Sequence, residues 1–410
     1  MKTGKLLHLM LAPLLLGSVG APPAQRSTAA MIEDVRTQVI AHAPYKQWDM
    51  ATGRPNATIG RTPGAACEAI SYLSRDAAVT GSVAARTKAS DLASWILQLQ
   101  QSGKDLPVPG GVPATPDLPG ASSTYYYVID AGFCGSAMMD MASATGDPRY
   151  LASARSFGAF VLAMMRDSTG QPMADGAPGR GPCEAVVQSS GAKAAWNCRR
   201  YVKSLALLPL LGRLQRVDPR GGYAAAARDL RSSLMPGLKG LWEYADGPAS
   251  SPRWHRIDGP HGERDMFVFG DTVSYALRGM HEYEGVTEDL KATYADIARP
   301  RTSDVRTKSY DPGTAYAGYV VATSRAADPY SRYYDIVTLG HLRGVRRAIA
   351  PADMRTADRV LTDRIASSPR IGWKMDMDHR VSHTGMADIS TLSSVGTALV
   401  EMQAGARDAT

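Results

Sequence analysis

An all-α ring of six helical hairpins is the architecture that this 410-residue sequence predicts, and three observations predict it. Apolar residues recur at helical spacing in long Ala-, Leu-, Met- and Arg-rich stretches, while alternating strand-type runs are scarce. A helix–turn–helix template repeats loosely along the chain. One helix is left over at each end, and these two make a sixth hairpin only if the chain closes on itself.

The elements follow in order. The unpaired first helix covers Ala29–Ala41. The first hairpin runs from Cys67 to Leu99 through Ala78-Val79-Thr80-Gly81, where glycine ends the helix. The second opens at Asp130, passes Gly132, Met138, Met139 and Met141, and turns at Thr145-Gly146-Asp147-Pro148. It returns from Tyr150-Leu151-Ala152 to Met165, glycine stopping one helix and proline starting the next. The third runs from Asn197 through Val217-Asp218-Pro219 to Leu234. The fourth opens at Asp271, passes Val273, Tyr275, Leu277 and Met280, turns at Gly285-Val286-Thr287-Glu288-Asp289 and returns from Leu290 through Tyr294 to Ala298. From opening Asp to turn Thr the second and fourth units span 15 and 16 residues, which marks them as copies of one pattern. The fifth is expected from Thr314 through Ala327-Asp328-Pro329 to Ile349, and the unpartnered last helix from Gly385 to Gln403.

Each hairpin pairs one apolar, small-residue helix with one that carries more charge. The first kind suits an inner position with neighbours on both sides, the second an outer ring in water. The links at 103–124, 166–195, 244–269 and 300–313 are rich in Gly, Pro, Ser and Asp. Links longer than about 12–15 residues tend to carry function. These are expected on the face where the inner helices begin.

Composition agrees with a globular chain: 44% hydrophobic and 21% charged residues exclude disorder, collagen and coiled coil. The net charge of +7, from 46 basic and 39 acidic residues, favours an acidic partner such as a uronate-bearing glycan. With no Lys/Arg-rich short run, no nucleic-acid partner is expected. Lys2 and Lys5, the apolar run Leu6–Val19 and the small residues Val19-Gly20-Ala21 have the layout of a cleaved export signal, with Ala24 as a second cleavage site. The expectation is a signal over 1–21, then one catalytic domain over 22–410 that is periplasmic or secreted and not inserted in a membrane. The four cysteines fit two disulfides in an oxidising compartment. Cys183–Cys198 closes a short loop, and Cys67–Cys134 follows by elimination, tying two helical units together. Zinc is the competing reading, but no two cysteines have CxxC spacing.

Asp130-Ala131-Gly132 with its helix, and the stretch Thr-Gly-Asp-Pro-Arg-Tyr-Leu-Ala-Ser-Ala over 145–154, resemble the six-hairpin, (α/α)6-toroid superfamily of carbohydrate-active enzymes. That turn is frequent among toroid glycosidases, epimerases and lyases and marks fold more than activity. The chain lacks the paired Asp-Asp of several hydrolase families of this fold, and the Asn-Asn-His-Ser-Tyr-Trp run of one group of alginate lyases. The resemblance implies a site in a central funnel, built from loops and the first turns of inner helices. In this register those positions are Glu68, Asp130, Asn197 with Arg200 and Tyr201, Asp271, Tyr316 and Asp388.

Two aspartates at matching positions, Asp130 and Asp271, would face each other across such a funnel. Glycoside hydrolysis uses a carboxyl pair of this kind, one to protonate the leaving oxygen and one to activate water or attack. Helix capping is the structural alternative for both. The loop 254–265 adds Trp254 for stacking, Arg256 and Arg264 for glycan contacts, and His255 and His261 for proton transfer. Tyr127 is a second stacking wall, while Trp373 precedes the last inner helix. Asn197, Arg200, Tyr201 and His255 or His261 are instead the parts of a uronate lyase or epimerase. A non-catalytic polysaccharide-binding factor is the third possibility. Asp376, Asp378 and His379 invite a metal reading, but EF-hand spacing is missing, and no metal or other cofactor is expected. With no GxSxG on a strand, P-loop or GxGxxG, neither a serine-hydrolase elbow nor nucleotide chemistry is favoured. The partner is a polysaccharide or oligosaccharide, and the sequence sets no oligomeric state.

Overall fold

The computed structural model describes residues 26–102, 108–117, 123–189, 194–198, 202–246, 270–298, 333–335, 337–365, 374–376 and 386–408. Helices alternate between an outer and an inner layer. Helix α1 (Thr28–His42) is outer, α2 (Pro63–Thr80) inner, α3 (Val83–Ser102) outer, α4 (Val128–Thr145) inner and α5 (Pro148–Ala163) outer. A 3-10 turn (Val202–Leu207) leads into inner α6 (Leu208–Val217), followed by outer α7 (Tyr223–Asp246), inner α8 (Gly270–Glu284) and outer α9 (Glu288–Ala298). The fifth inner position is split into α10 (Val337–His341) and α11 (Arg343–Ile349), with α12 (Pro351–Val360) outside and α13 (Ile389–Asp408) last. Helix α2 packs on α4, α4 on α6, α6 on α8, α8 on α10, α10 on α13, and α13 back on α2. The ring is closed.

Local chemistry explains the layers. Helix α4 buries residues almost all the way round, including Val128, Ala131, Cys134, Met138 and Met141, as an inner helix must. Full burial of each large apolar side chain stabilises by about 1.5–3 kcal/mol. Inner helices need small residues because neighbours come close: a Cβ at Gly132 would lie 2.5 Å from Leu207. The matching turns end alike, with Gly146 at φ 71° and Gly285 at φ 72°, a left-handed conformation that other residues resist. Asp147 then caps α5 by accepting from the Arg149 N–H at 2.9 Å.

Helix α2 starts four residues before the expected Cys67, α7 runs past Leu234 to Asp246, and α13 covers Ile389–Asp408 rather than Gly385–Gln403. Two further differences change an element's layer or type. The residues up to Ile349 form the inner pair α10–α11 rather than an outer helix, and the turn is Ala350 before Pro351. Proline has no N–H to give, so it starts α12 at its first position. The expected turn at 327–329 lies outside the described residues. The third inner segment begins at Val202, five residues after Asn197, because Asn197 is held in a strand.

Nine short strands are found among the described residues: β1 (Gln47–Asp49), β2 (Ser123–Tyr127), β3 (Met165–Arg166), β4 (Gly181–Pro182), β5 (Ala185–Ser189), β6 (Ala195–Asn197), β7 (Tyr333–Asp335), β8 (Lys374–Asp376) and β9 (Met386–Asp388). They form four small antiparallel sheets within the links, β1–β9, β2–β5–β6, β3–β4 and β7–β8. The first joins the two ends of the chain, Gln47 opposite Asp388, and the Ile389 N–H extends it to the Lys46 carbonyl at 2.9 Å. Helix α1 packs on α13 beside it, so the terminal helices form the sixth hairpin as the sequence predicts.

Disulfides join Cys67 to Cys134 and Cys183 to Cys198. The first links the adjacent inner helices α2 and α4 across 67 residues of sequence. Closing a loop of that size in the unfolded chain is worth about 4 kcal/mol. The double variant Cys67→Ser/Cys134→Ser is therefore expected to lose about that much unfolding free energy in urea titrations. A loss under about 1 kcal/mol would mean that packing of α2 on α4, not the bond, fixes the pair. No described helix is long and apolar enough to cross a membrane, and residues 1–21 lie outside the described residues.

Candidate active site

The six inner helices begin at one end of the ring, and each sends a polar side chain to the axis there. These are Glu68 from α2, Asp130 from α4, Lys203 from the 3-10 turn, Tyr275 from α8, His341 from α10 and Ser390 from α13. Glu68 is at the centre. Its two carboxylate oxygens accept from the Tyr275 and Ser390 hydroxyls. Burial raises its pKa above the ordinary carboxylate range, and nearby Asp388 adds to this, while Ser390, Tyr275 and Lys203 favour the charged form.

Tyr275 is clamped. Its ring lies 5.0 Å from Phe133 and 4.1 Å from His341, and the Lys203 ammonium sits 4.4 Å above it. His341 is buried with Nδ1 3.2 Å from the Ser274 hydroxyl. Burial, reinforced by Arg278 and Lys203, holds it far below the usual histidine range, so it stays neutral.

Asp130 is the third residue of α4, partly buried, and it does not cap the helix; Tyr127 occupies the cap position. Among the described residues nothing donates a hydrogen bond to its carboxyl group. Burial raises it to about 6, Glu68 pushing the same way while Lys46 and Lys203 oppose. The carboxyl lies against the backbone of α2 at Gly64, where an added Cβ would come within 2.5 Å of Oδ1. Gly64→Ala is thus expected to displace Asp130 and cut activity on the order of 10²-fold with the far-ultraviolet spectrum unchanged. Undiminished activity would show that the carboxyl has another resting place.

The other sequence candidates divide sharply. Asp388 caps α13, its Oδ1 accepting from the Ser390 and Thr391 N–H groups at 2.9 and 3.3 Å, while Gln47 reaches Oδ2 at 3.3 Å. Its carboxylate is committed to that cap. Asn197 is not on an inner helix; it ends β6 opposite Ala185 and donates to Glu184 at 3.0 Å. Tyr127 stands directly before α4, its ring 5.8 Å from that of Tyr125. Asp271 is the second residue of α8, one turn before Tyr275, and its side chain lies outside what is described. Arg200, Tyr201, Trp254, His255, Arg256, His261, Arg264, Tyr316 and Trp373 lie outside the described residues.

Lys46, Lys203, Tyr275, His341 and Ser390 were not singled out from the sequence, and Glu68 was placed in the right register without a role. The described part of the funnel sets Lys46 and Lys203 against Glu68, Asp130 and Asp388. The basic excess of the chain therefore does not gather here. Below Glu68 an axial cavity of about 700 Å³ runs down the ring past Ser71, Ser136 and Ser394. At its far end Arg75 pairs with Glu401 at 3.0 Å and Arg278 with Glu282 at 2.6 Å. Guanidiniums suit that end, where the inner helices terminate and their dipoles are negative. Among the described residues no three His, Cys, Asp or Glu side chains form a metal-holding group.

No family model and no curated relative matches the chain. Solved structures do. Cellobiose 2-epimerase from Spirochaeta thermophila superposes with a TM-score of 0.60 at 13% identity, covering 92% of this chain and 96% of its own. Unsaturated glucuronyl hydrolase from Bacillus sp. GL1 gives 0.57 at 15% identity, with 92% and 97% covered. An α-1,6-mannanase from Salegentibacter sp. gives 0.53 at 14% identity, with 92% and 99% covered. At such identities the likeness is one of fold. The chain has the (α/α)6-toroid fold.

Proposed function

We propose that this protein is a glycoside hydrolase acting on a polysaccharide or oligosaccharide, with Asp130 as general acid and Glu68 as the second carboxylate. One observation carries the reading: a carboxyl that accepts no hydrogen bond among the described residues, and that burial pushes up to about 6, stands beside a carboxylate fixed by two hydroxyl donors. Burial raises both carboxyls, but only Glu68 has hydrogen-bond donors that favour its charged form, which suits Asp130 to hold a proton and Glu68 to carry charge. Asp130 gives its proton to the bridging oxygen as the glycosidic bond breaks. Glu68 takes a proton from the attacking water, or attacks the sugar carbon itself. Fold neighbours that act on carbohydrates support the substrate class. Two disulfides support a periplasmic or secreted location.

The test is release of reducing ends from a broad glycan panel by wild-type protein and by Asp130→Asn, Glu68→Gln and Asp271→Asn. Loss in the first two supports the assignment; loss in Asp130→Asn and Asp271→Asn alone moves the second role to Asp271. The second reading, a uronate lyase or epimerase, draws on the Tyr275–His341 pair beside Glu68 and the epimerase among the fold neighbours. Products with new ultraviolet absorbance or an inverted carbon, without reducing-end release, would replace hydrolysis by that chemistry.

A further inference from the structure

We infer that the outer face of the β2–β5–β6 sheet is a distal sugar subsite, which takes the next pyranose unit of a chain whose bond lies at Asp130. This rests on the carbohydrate reading above for its ligand class; the face itself is defined by register. In antiparallel pairing, directly opposite residues share a face. Tyr127, Ala185 and Asn197 form one row across the sheet, and Tyr125, Val187 and Ala195 the next. The opposite face carries Tyr126 and Val186, both buried, and Trp196, half-buried against the core. On the outer face Ala185 is buried, and the open part is the row of Tyr125, Val187 and Ala195.

The outer face has the makings of a sugar platform. Tyr125 is 42% exposed, and the other large hydrophobics exposed among the described residues are valines at the turns between inner and outer helices: Val83 opens α3, Val217 ends α6 and Val286 lies between α8 and α9. Its ring is stacked against that of Tyr127 at 5.8 Å and 15°, which restricts it. A stiff aromatic loses little entropy on stacking and offers an apolar face to sugar C–H groups. Beside it Val187 and Ala195 are small and leave a shallow floor. Asn197, held by Glu184 at 3.0 Å, and the Ser123–Ser189 hydroxyl pair at 2.7 Å supply polar edges for sugar hydroxyls. Disulfide Cys183–Cys198 ties the start of β5 to the end of β6, so the platform is rigid. Tyr127 leads directly into α4, and Asp130 is that helix's third residue. From Tyr125 to Tyr127 the strand advances about 7 Å, of the order of one sugar unit.

Calorimetric titration of Asp130→Asn protein with neutral and acidic oligosaccharides of two to six units, the β-1,4-glucan and α-1,6-mannan series among them, tests this. Affinity is expected to rise about tenfold once the chain spans both positions. Adding Tyr125→Ala, or Ala195→Arg to fill the floor, is expected to erase that gain. Val286→Ala, in a turn at the other end of the ring, serves as control and should keep it. Length dependence that survives both substitutions would overturn the subsite and leave the hydrolase reading standing. Failure of every oligosaccharide to bind, together with no turnover by wild type, would overturn both.

Discussion

Asp130→Asn is expected to lower turnover by about 10²–10⁴-fold while making the protein more stable at pH 7. Both effects come from one cause. Burial lifts the carboxyl from its ordinary 3.8 to about 6, so the folded protein holds a proton that the unfolded chain has already released. Below the ordinary value both states are protonated and nothing is lost. As pH rises through the window up to about 6 the folded state loses stability, and above it the full cost is present, at most about 3 kcal/mol. Asparagine cannot ionise and avoids the cost. Urea titrations at pH 4 and pH 7 check this: the variant should gain little at the first and clearly at the second. Equal stability of the two proteins at pH 7 would show that the charged carboxyl is comfortable where it stands, and the acid role would go with it. Wild-type kcat/KM should correspondingly decline above pH 6, as the proton to be donated is lost.

Glu68→Gln should cost a comparable factor in turnover, about 10²–10⁴-fold, because an amide neither accepts a proton from water nor attacks. The supports should cost less. Tyr275→Phe and Ser390→Ala each remove one donor to the carboxylate, and a hydrogen bond to a charged group contributes about 1.5–3 kcal/mol. Losses of about tenfold to a hundredfold in kcat, with KM little changed, are expected for each. If Glu68→Gln retains full activity, the carboxylate is structural and its two donors merely satisfy it.

The ring was legible because helical periodicity and turn chemistry agree at most boundaries. Gly146 before Asp147-Pro148 and Gly285 before Thr287 state where an inner helix stops and its outer partner starts. At the fifth hairpin the sequence reading put the turn at Ala327-Asp328-Pro329, while the inner-to-outer turn among the described residues is Ala350 before Pro351. The segment around Asn197 reads as a helix start by composition. It is a strand because Ala185–Val187 lies opposite and the Cys183–Cys198 bond holds the edges together, neither of which has a local signature. The site was half legible. Asp130 follows from position in the repeat, whereas Glu68, Tyr275 and His341 are each the fifth or sixth residue of their helices, about one turn past the start. How deep a funnel reaches depends on how far the inner helices lean apart, which is decided by packing across the ring. Lys46 arrives from a loop before β1, where no pattern marks it.

The Ser390 hydroxyl that steadies Glu68 comes from 322 residues further along the polypeptide, on the final helix. A chain interrupted anywhere before that helix therefore lacks part of the support around its central carboxylate. Activity should accordingly be acquired only after translation has delivered α13 and it has docked against α2. Contacts spanning so much of the sequence also slow folding.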